Sequence, residues 1–276
     1  MKKLIVLTLL LNTWLMGNYI DKKNVNDFCL KKALNTTKRW YKPTSDVTWF
    51  IQLEGSLKKD KSVDIYDVDL FDTSKEDISK LHQKGKKVIC YFSAGSYEDW
   101  REDSVFFPKN ALGNKLEGWE SERWLDIRNS ALKYIMTKRM DYAKNKGCDG
   151  VDPDNVDGYE NKTGFILTYY DQLNYNKFLA IQAHKRGLSI GLKNNLDQIN
   201  VLKDYYDFAI NEQCNIYNEC KKLKPFISQN KPVLNIEYRL NYKKDEICRD
   251  MSGSKIMTIF MQEDILDGNG ERCRKK

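Results

Sequence analysis

The run Gly147-Cys148-Asp149-Gly150-Val151-Asp152-Pro153-Asp154-Asn155-Val156-Asp157-Gly158-Tyr159 holds four carboxylates within nine residues. Pro153 lacks a backbone donor and pushes Asp152 toward extended geometry, which argues against a helix here. Upstream, a helical run from Ala131 to Asn145 ends on Lys146-Gly147, a basic last turn followed by a glycine stop. The stretch therefore reads as a short strand whose far end opens into an acid-studded turn. Like charges this close repel, and a chain tolerates them where a cation, a proton or a substrate uses them. The plainer reading is an Asp-rich turn that caps the next helix.

Working outward, the same alternation recurs. Apolar β-type runs occupy Val47 to Leu53, Val63 to Phe71, Lys87 to Phe92, Gly150 to Asp152, Leu188 to Lys193, Asp207 to Ile210, Pro232 to Tyr238 and Lys255 to Met261. Amphipathic runs separate many of them: one is capped by Thr73 or Ser74 and stopped by Gly85, and another spans Tyr170 to Lys185 and stops at Gly187. After Ser93-Ala94-Gly95-Ser96 comes a long loop carrying Trp100, Trp119, Glu122, Trp124, Asp126 and Arg128. Strands alternating with helices predict a parallel sheet with crossover helices. No G-x-G-x-x-G follows the first strand, so a dinucleotide fold lacks its fingerprint. The expected fold is a single-domain (β/α)8 TIM-type barrel over residues 47–276, preceded by an N-terminal extension over 18–46.

Composition narrows the functional class. A hydrophobic content of 41% and an aromatic content of 12% describe a globular chain. Lys2-Lys3, an apolar run from Leu4 to Met16 and then Gly17 match a secretory signal over residues 1–17, and no later stretch is apolar for the ~20 residues of a membrane span. A secreted, extracellular protein is expected, with no membrane and a monomeric state. The formal charge is +7, yet the lysines are spread along the chain with no compact basic run, so nucleic acid is not an expected partner. The cysteines are 29, 90, 148, 214, 220, 248 and 273, and an odd count leaves one unpaired or intermolecular. Cys214 and Cys220 enclose a short loop and are the favoured bridge, whereas Cys90 and Cys148 sit in apolar runs and read as small buried hydrophobes. No CxxC pair exists and His82 and His184 are the only histidines, so a zinc site is disfavoured; no cofactor is expected. Both histidines lie in helical runs away from strand ends, which disfavours a Ser-His-Asp triad. Asn35 and Asn161 head glycosylation sequons.

In a barrel of this type the site lies at the carboxyl ends of the strands. Those ends carry Asp72, Tyr91 with Ser93, Asp154 with Asn155 and Asp157, Lys193 with Asn194, Glu212 with Gln213, and Glu237 with Tyr238. Acids gathered at one rim of a basic protein point to a cationic or polyhydroxyl ligand. Two carboxylates on different strands suit glycoside cleavage, one attacking or stabilising the sugar carbon and the other protonating the leaving oxygen. Asp154 and Glu212 are the best pair. Glu212 also reads as a helix-capping acid, and Asp152, inside its strand, reads as structural. Lys193 could tune a neighbour's pKa, bond sugar hydroxyls or form a Schiff base. Trp100, Trp119 and Trp124 could stack on sugars or pack their loop down.

The blocks Asp67 to Asp72, Val88 to Ser96, Trp124 to Arg128, Gly147 to Tyr159 and Asn211 to Cys214 resemble glycoside hydrolase family 114, the endo-α-1,4-polygalactosaminidases. The similarity runs in order from about Trp49 to Tyr238. It implies a metal-free (β/α)8 barrel cleaving α-1,4-linked galactosamine in partly deacetylated galactosaminogalactan-type polymers, with retention of configuration. The family's catalytic carboxylates match Asp154 as nucleophile and Glu212 as acid/base. Expected substrate contacts are Asp72, Tyr91, Ser93, Asp126, Arg128, Asn155, Asp157, Lys193, Asn194, Gln213 and Glu237. The chain departs from the family at Trp119-Glu120-Ser121-Glu122, where Pro-Gly is expected after the loop tryptophan. The rivals are a catalytically silent sugar-binding barrel and a hydrolase of another polysaccharide.

Overall fold

The computed structural model describes residues 39–238, 243–261 and 267–273. The expected signal segment, most of the extension, Cys29 and Asn35 lie outside the described residues. Everything below concerns the compact unit from Trp40 onward.

The described residues form twelve strands: β1 Trp49–Gln52, β2 Ile65–Asp69, β3 Lys87–Ser93, β4 Ser96–Glu98, β5 Leu112–Leu116, β6 Trp119–Leu125, β7 Gly150–Asp154, β8 Ser189–Lys193, β9 Phe208–Glu212, β10 Val233–Tyr238, β11 Ile256–Met261 and β12 Glu271–Arg272. All eight expected strands form, and they pair in parallel in chain order, β1-β2-β3-β7-β8-β9-β10-β11. β12 adds an antiparallel edge on β11. Helices Lys75–Gln83, Ser130–Lys146 and Tyr169–Lys185 provide the longer crossovers. Their ends follow local chemistry. Ser74, Asn129 and Thr168 cap the amino ends, Thr168 in a reciprocal capping box with Asp171, each worth about 1 kcal/mol. Gly147 closes the second helix at φ 102°, where a side chain would be strained.

The result is a curled sheet with two hydrophobic layers. Trp49, Ile51, Ile65, Ile89, Phe208, Ile210, Leu234, Ile236, Ile259 and Met261 pack together on its concave side. Val68, Cys90, Val151, Leu132, Met136 and Leu179 belong to the outer layer, between strands and helices. Residues of β1 and β11 meet in the inner cluster, and Trp49 Nε1 donates to Met257 O at 2.9 Å. The backbone ladder itself, among the described residues, does not join β1 to β11.

Two expectations change. The long loop after β3 is a three-stranded antiparallel sheet, β4-β6-β5. Trp119, Glu120 and Ser121 are exposed in succession, so neither face of β6 packs on a core there and the strand shows no apolar alternation. Cys90 and Cys148 are not free hydrophobes but a disulfide, alongside the expected Cys214–Cys220 and a third, Cys248–Cys273. Cys90 points outward from β3 and Cys148 lies two residues before β7, so strand pairing brings them together across 58 residues. Among the described residues no helix is long and apolar enough to cross a membrane.

Candidate active site

The four acids of the 147–159 stretch spread along the strand axis instead of crowding one turn. Asp149 is at the amino end, held by His82, Lys87 and the Val88 amide. Asp152 points into the interior, fully buried and without a hydrogen-bond partner among the described residues. Only Asp154 and Asp157 reach the carboxyl-end cavity. Pro153 is tolerated in this central strand because the recorded register of β7 with β8 covers only Gly150–Ser189 and Val151–Ile190.

That cavity, about 920 Å³, opens above the strand ends beneath the inserted sheet. At its floor Lys193 Nζ lies 3.2 Å from Asp154 Oδ2 and 3.8 Å from Glu212 Oε1. The two oxygens are therefore no more than about 7 Å apart, compatible with the ~5 Å spacing of a retaining pair. Both carboxylates stay accessible, at 17% and 28% of side-chain surface, while the lysine is 4% exposed. Burial works against the lysine's charge, but Asp154, Glu212 and Asp152 outweigh it and hold its pKa well above the usual range. A Schiff-base role, which needs a neutral amine, is thereby disfavoured.

Each carboxylate is aimed by neighbours. Tyr91 OH donates to Asp154 Oδ2 at 2.9 Å, and the Asn155 amide donates to Oδ1 at 2.7 Å. Tyr238 OH donates to Glu212 Oε1 at 2.5 Å, and Asn194 Nδ2 to Oε2 at 2.9 Å. Asn155, Asn194 and Gln213, each directly after Asp154, Lys193 and Glu212, have φ of 59°, 47° and 61°. Left-handed backbone at all three strand ends turns the chain sharply, and asparagine tolerates it best. Gly95 lies so close to this turn that a Cβ would stand 1.6 Å from Asn155 O.

Of the other expected contacts, Asp72, Tyr91, Asn155, Asp157, Lys193 and Asn194 line the cavity. The rest take other places. Ser93 is buried and bonded to Ser96 and Asn155. Asp126 and Arg128 pair with each other, and Arg128 also reaches Ile166 O. Gln213 donates its backbone N–H to Ile236 O, and Glu237, fully buried, accepts from Asn215 and Asn235. Glu237 precedes Tyr238, so strand alternation turns it outward.

Sequence reading missed the buried ionic frame. Arg101 binds both oxygens of Asp69 at 3.1 and 2.6 Å and Glu98 at 2.9 Å. Arg139 binds both oxygens of Asp103, Glu98 and Ser93 O. These arginines fasten the inserted sheet to the parallel sheet and its helix. Arg139 sits mid-helix at a core-facing position, a weak sequence signal. Trp100, Trp119 and Trp124 all line the cavity, the first two exposed and Trp124 buried.

The sequence profile of glycoside-hydrolase family GH114 matches residues 30–276. The chain belongs to family GH114. It is a glycoside hydrolase. This GH114 chain is similar to Aspergillus fumigatus Ega3, whose crystal structure is a complex with galactosamine. The two are 40% identical over 87% of this chain and all of that one, with a TM-score of 0.82. The glycoside hydrolase domain of PelA from Pseudomonas aeruginosa shares the fold, at 15% identity over 83% of this chain and 98% of that one, with a TM-score of 0.64. Among curated proteins none matches the chain.

Proposed function

We propose that this GH114 protein is an endo-acting hydrolase of α-1,4-galactosaminidic bonds in partly deacetylated galactosaminogalactan-type polysaccharide, working by a two-carboxylate retaining mechanism. The observation that carries this reading is the convergence of Asp154 and Glu212 on Lys193 at the floor of an open, acid-lined cavity. A galactosamine polymer is cationic, and the relative at 40% identity was crystallised with galactosamine.

Asp154, the closer to the ammonium, attacks the anomeric carbon as Glu212 gives its proton to the leaving glycosidic oxygen. Glu212 then takes a proton from the water that releases the sugar from Asp154. A free C2 ammonium has no acetamide oxygen to attack its own ring, so in a retaining reaction the enzyme supplies the nucleophile. Tyr91 and Lys193 orient Asp154; Tyr238 and Asn194 orient Glu212. Proton and nucleophile both come from side chains, so no metal or cofactor is needed. The sequential parallel strands and the Trp49–Met257 contact support a closed (β/α)8 barrel. The disulfides and the N-terminal apolar run support secretion, and the protein is read as a monomer.

Incubation with galactosaminogalactan should release oligosaccharides, and NMR should detect the α anomer first. Binding without release would favour a silent sugar-binding barrel, activity only on neutral glycans another polysaccharide, and the β anomer inversion.

A further inference from the structure

The carboxylates of the cavity differ in what already neutralises them. Asp69 and Glu98 are held by Arg101 and Arg139, Asp72 is within 3.4 Å of Arg101, and Glu120 pairs with Lys115. Asp154 and Glu212 share Lys193. Asp157 is half-buried and makes no ion pair among the described residues; neither does Glu122, although it is 93% buried (7% exposed) and lines the cavity. Ser96 Oγ donates to its Oε2 at 2.5 Å. Its Oε1 has no partner among the described residues and is not sealed off, so it faces the cavity. An anion in such a place is costly unless a ligand cation completes it.

Its position is tied to the reacting centre. Ser96 Oγ also accepts from Asn155 Nδ2 at 3.1 Å, and the Asn155 backbone N–H donates to Asp154 Oδ1. In a 2-amino sugar the amine is one carbon from the anomeric carbon that Asp154 attacks. We infer that Glu122 reads the C2 ammonium of the sugar bound at the point of cleavage and makes that position select galactosamine over its N-acetyl form. This rests on the proposed function and names a specificity residue within it. An acetamide is neutral and bulkier, and would leave the buried carboxylate without its counter-charge. Burial first, then Glu98 and Asp154, push the Glu122 carboxyl up to about 7 against the pull of Ser96 and Arg101, and a bound cation would bring it down.

Glu122→Gln keeps the shape and the Ser96 contact and removes the charge. Products from a partly acetylated polymer, sequenced by mass spectrometry, should end in galactosamine at the new reducing end for wild type and in a mixture for E122Q. Calorimetry with galactosamine should show about ten- to hundredfold weaker binding by E122Q, with N-acetylgalactosamine binding little changed. An unchanged reducing end and unchanged galactosamine affinity in a folded E122Q would overturn the inference. So would relaxation in Asp157→Asn but not in E122Q, which would assign the role to Asp157. If wild type cleaves nothing yet binds galactosamine through Glu122, the hydrolase reading fails and this one stands; if it neither cleaves nor binds, both fail.

Discussion

Tyr238 OH donates a 2.5 Å hydrogen bond to Glu212 Oε1, across from β10 to the end of β9. Burial first, and then the Glu212 charge, raise the tyrosine's pKa, so it remains a donor throughout the working pH range. Tyr238→Phe should lower kcat about ten- to hundredfold with KM little changed, because it disturbs the aim of the acid/base and not the groove. Glu212→Gln should cost more, about 10² to 10⁴ in kcat. Steady-state kinetics on a galactosamine oligomer checks both. Equal rates for E212Q and wild type would remove Glu212 from the mechanism.

Gly95 has no room for a side chain beside the nucleophile turn. Its amide donates to Asp154 O at 3.0 Å, and an added Cβ would meet Asn155 O at 1.6 Å. Gly95→Ala should displace Asp154 and lower kcat/KM by about a hundredfold, the usual cost of a misplacement near 1 Å. Retained activity in a folded G95A would show that the turn relaxes without moving the carboxylate.

Arg139 is a stability residue. Its guanidinium holds Asp103 at 2.7 and 2.8 Å and Glu98 at 3.3 Å in a nearly dry setting. Arg139→Met leaves Asp103 unpaired and Glu98 with Arg101 alone, at a cost of about 3–5 kcal/mol. Thermal unfolding should move down by roughly 10 °C. A shift under about 2 °C would mean that the pairs are worth no more than surface ones.

Asp152 makes an unusual contribution to pH dependence. Burial first, with Asp154 and Glu212 adding and Lys193 opposing, raises its carboxyl to about 7. Between the ordinary carboxylate range and that value the native state holds a proton that the unfolded chain has lost. Its contribution is therefore present at low pH, declines as pH rises toward 7 and is gone above it. From pH 5 to 7.5 wild type should lose roughly 2 kcal/mol more than Asp152→Asn does. Urea unfolding at both values measures the difference, and parallel pH curves would place Asp152 in a hydrated site.

The Cys90–Cys148 bridge closes a loop spanning 58 residues that contains the whole inserted sheet. Loop-closure entropy gives it about 4 kcal/mol. The double alanine variant should unfold roughly 8–15 °C below wild type, measured by calorimetry. Losing less than 3 °C would show that strand pairing alone restrains the loop.

Much was legible along the chain because it is local. Hydrophobic period, Ser and Thr caps, and glycine stops set eight strands and their helices near the observed boundaries. The acids at the ends of the fourth and sixth parallel strands marked Asp154 and Glu212, since parallel strands put their carboxyl ends on one rim. What a side chain faces depends instead on curvature and register between distant segments. That sent Glu237 into a buried amide cluster and Tyr238 to Glu212. It also joined Cys90 to Cys148 and set Arg101 and Arg139 on Glu98, while Glu122 was left without an ion pair among the described residues. Sequence alone determined where the chain turns and which residues end each strand. Tertiary structure decided which charges neutralise one another, because ion pairing depends on distances of a few ångströms between groups tens of residues apart.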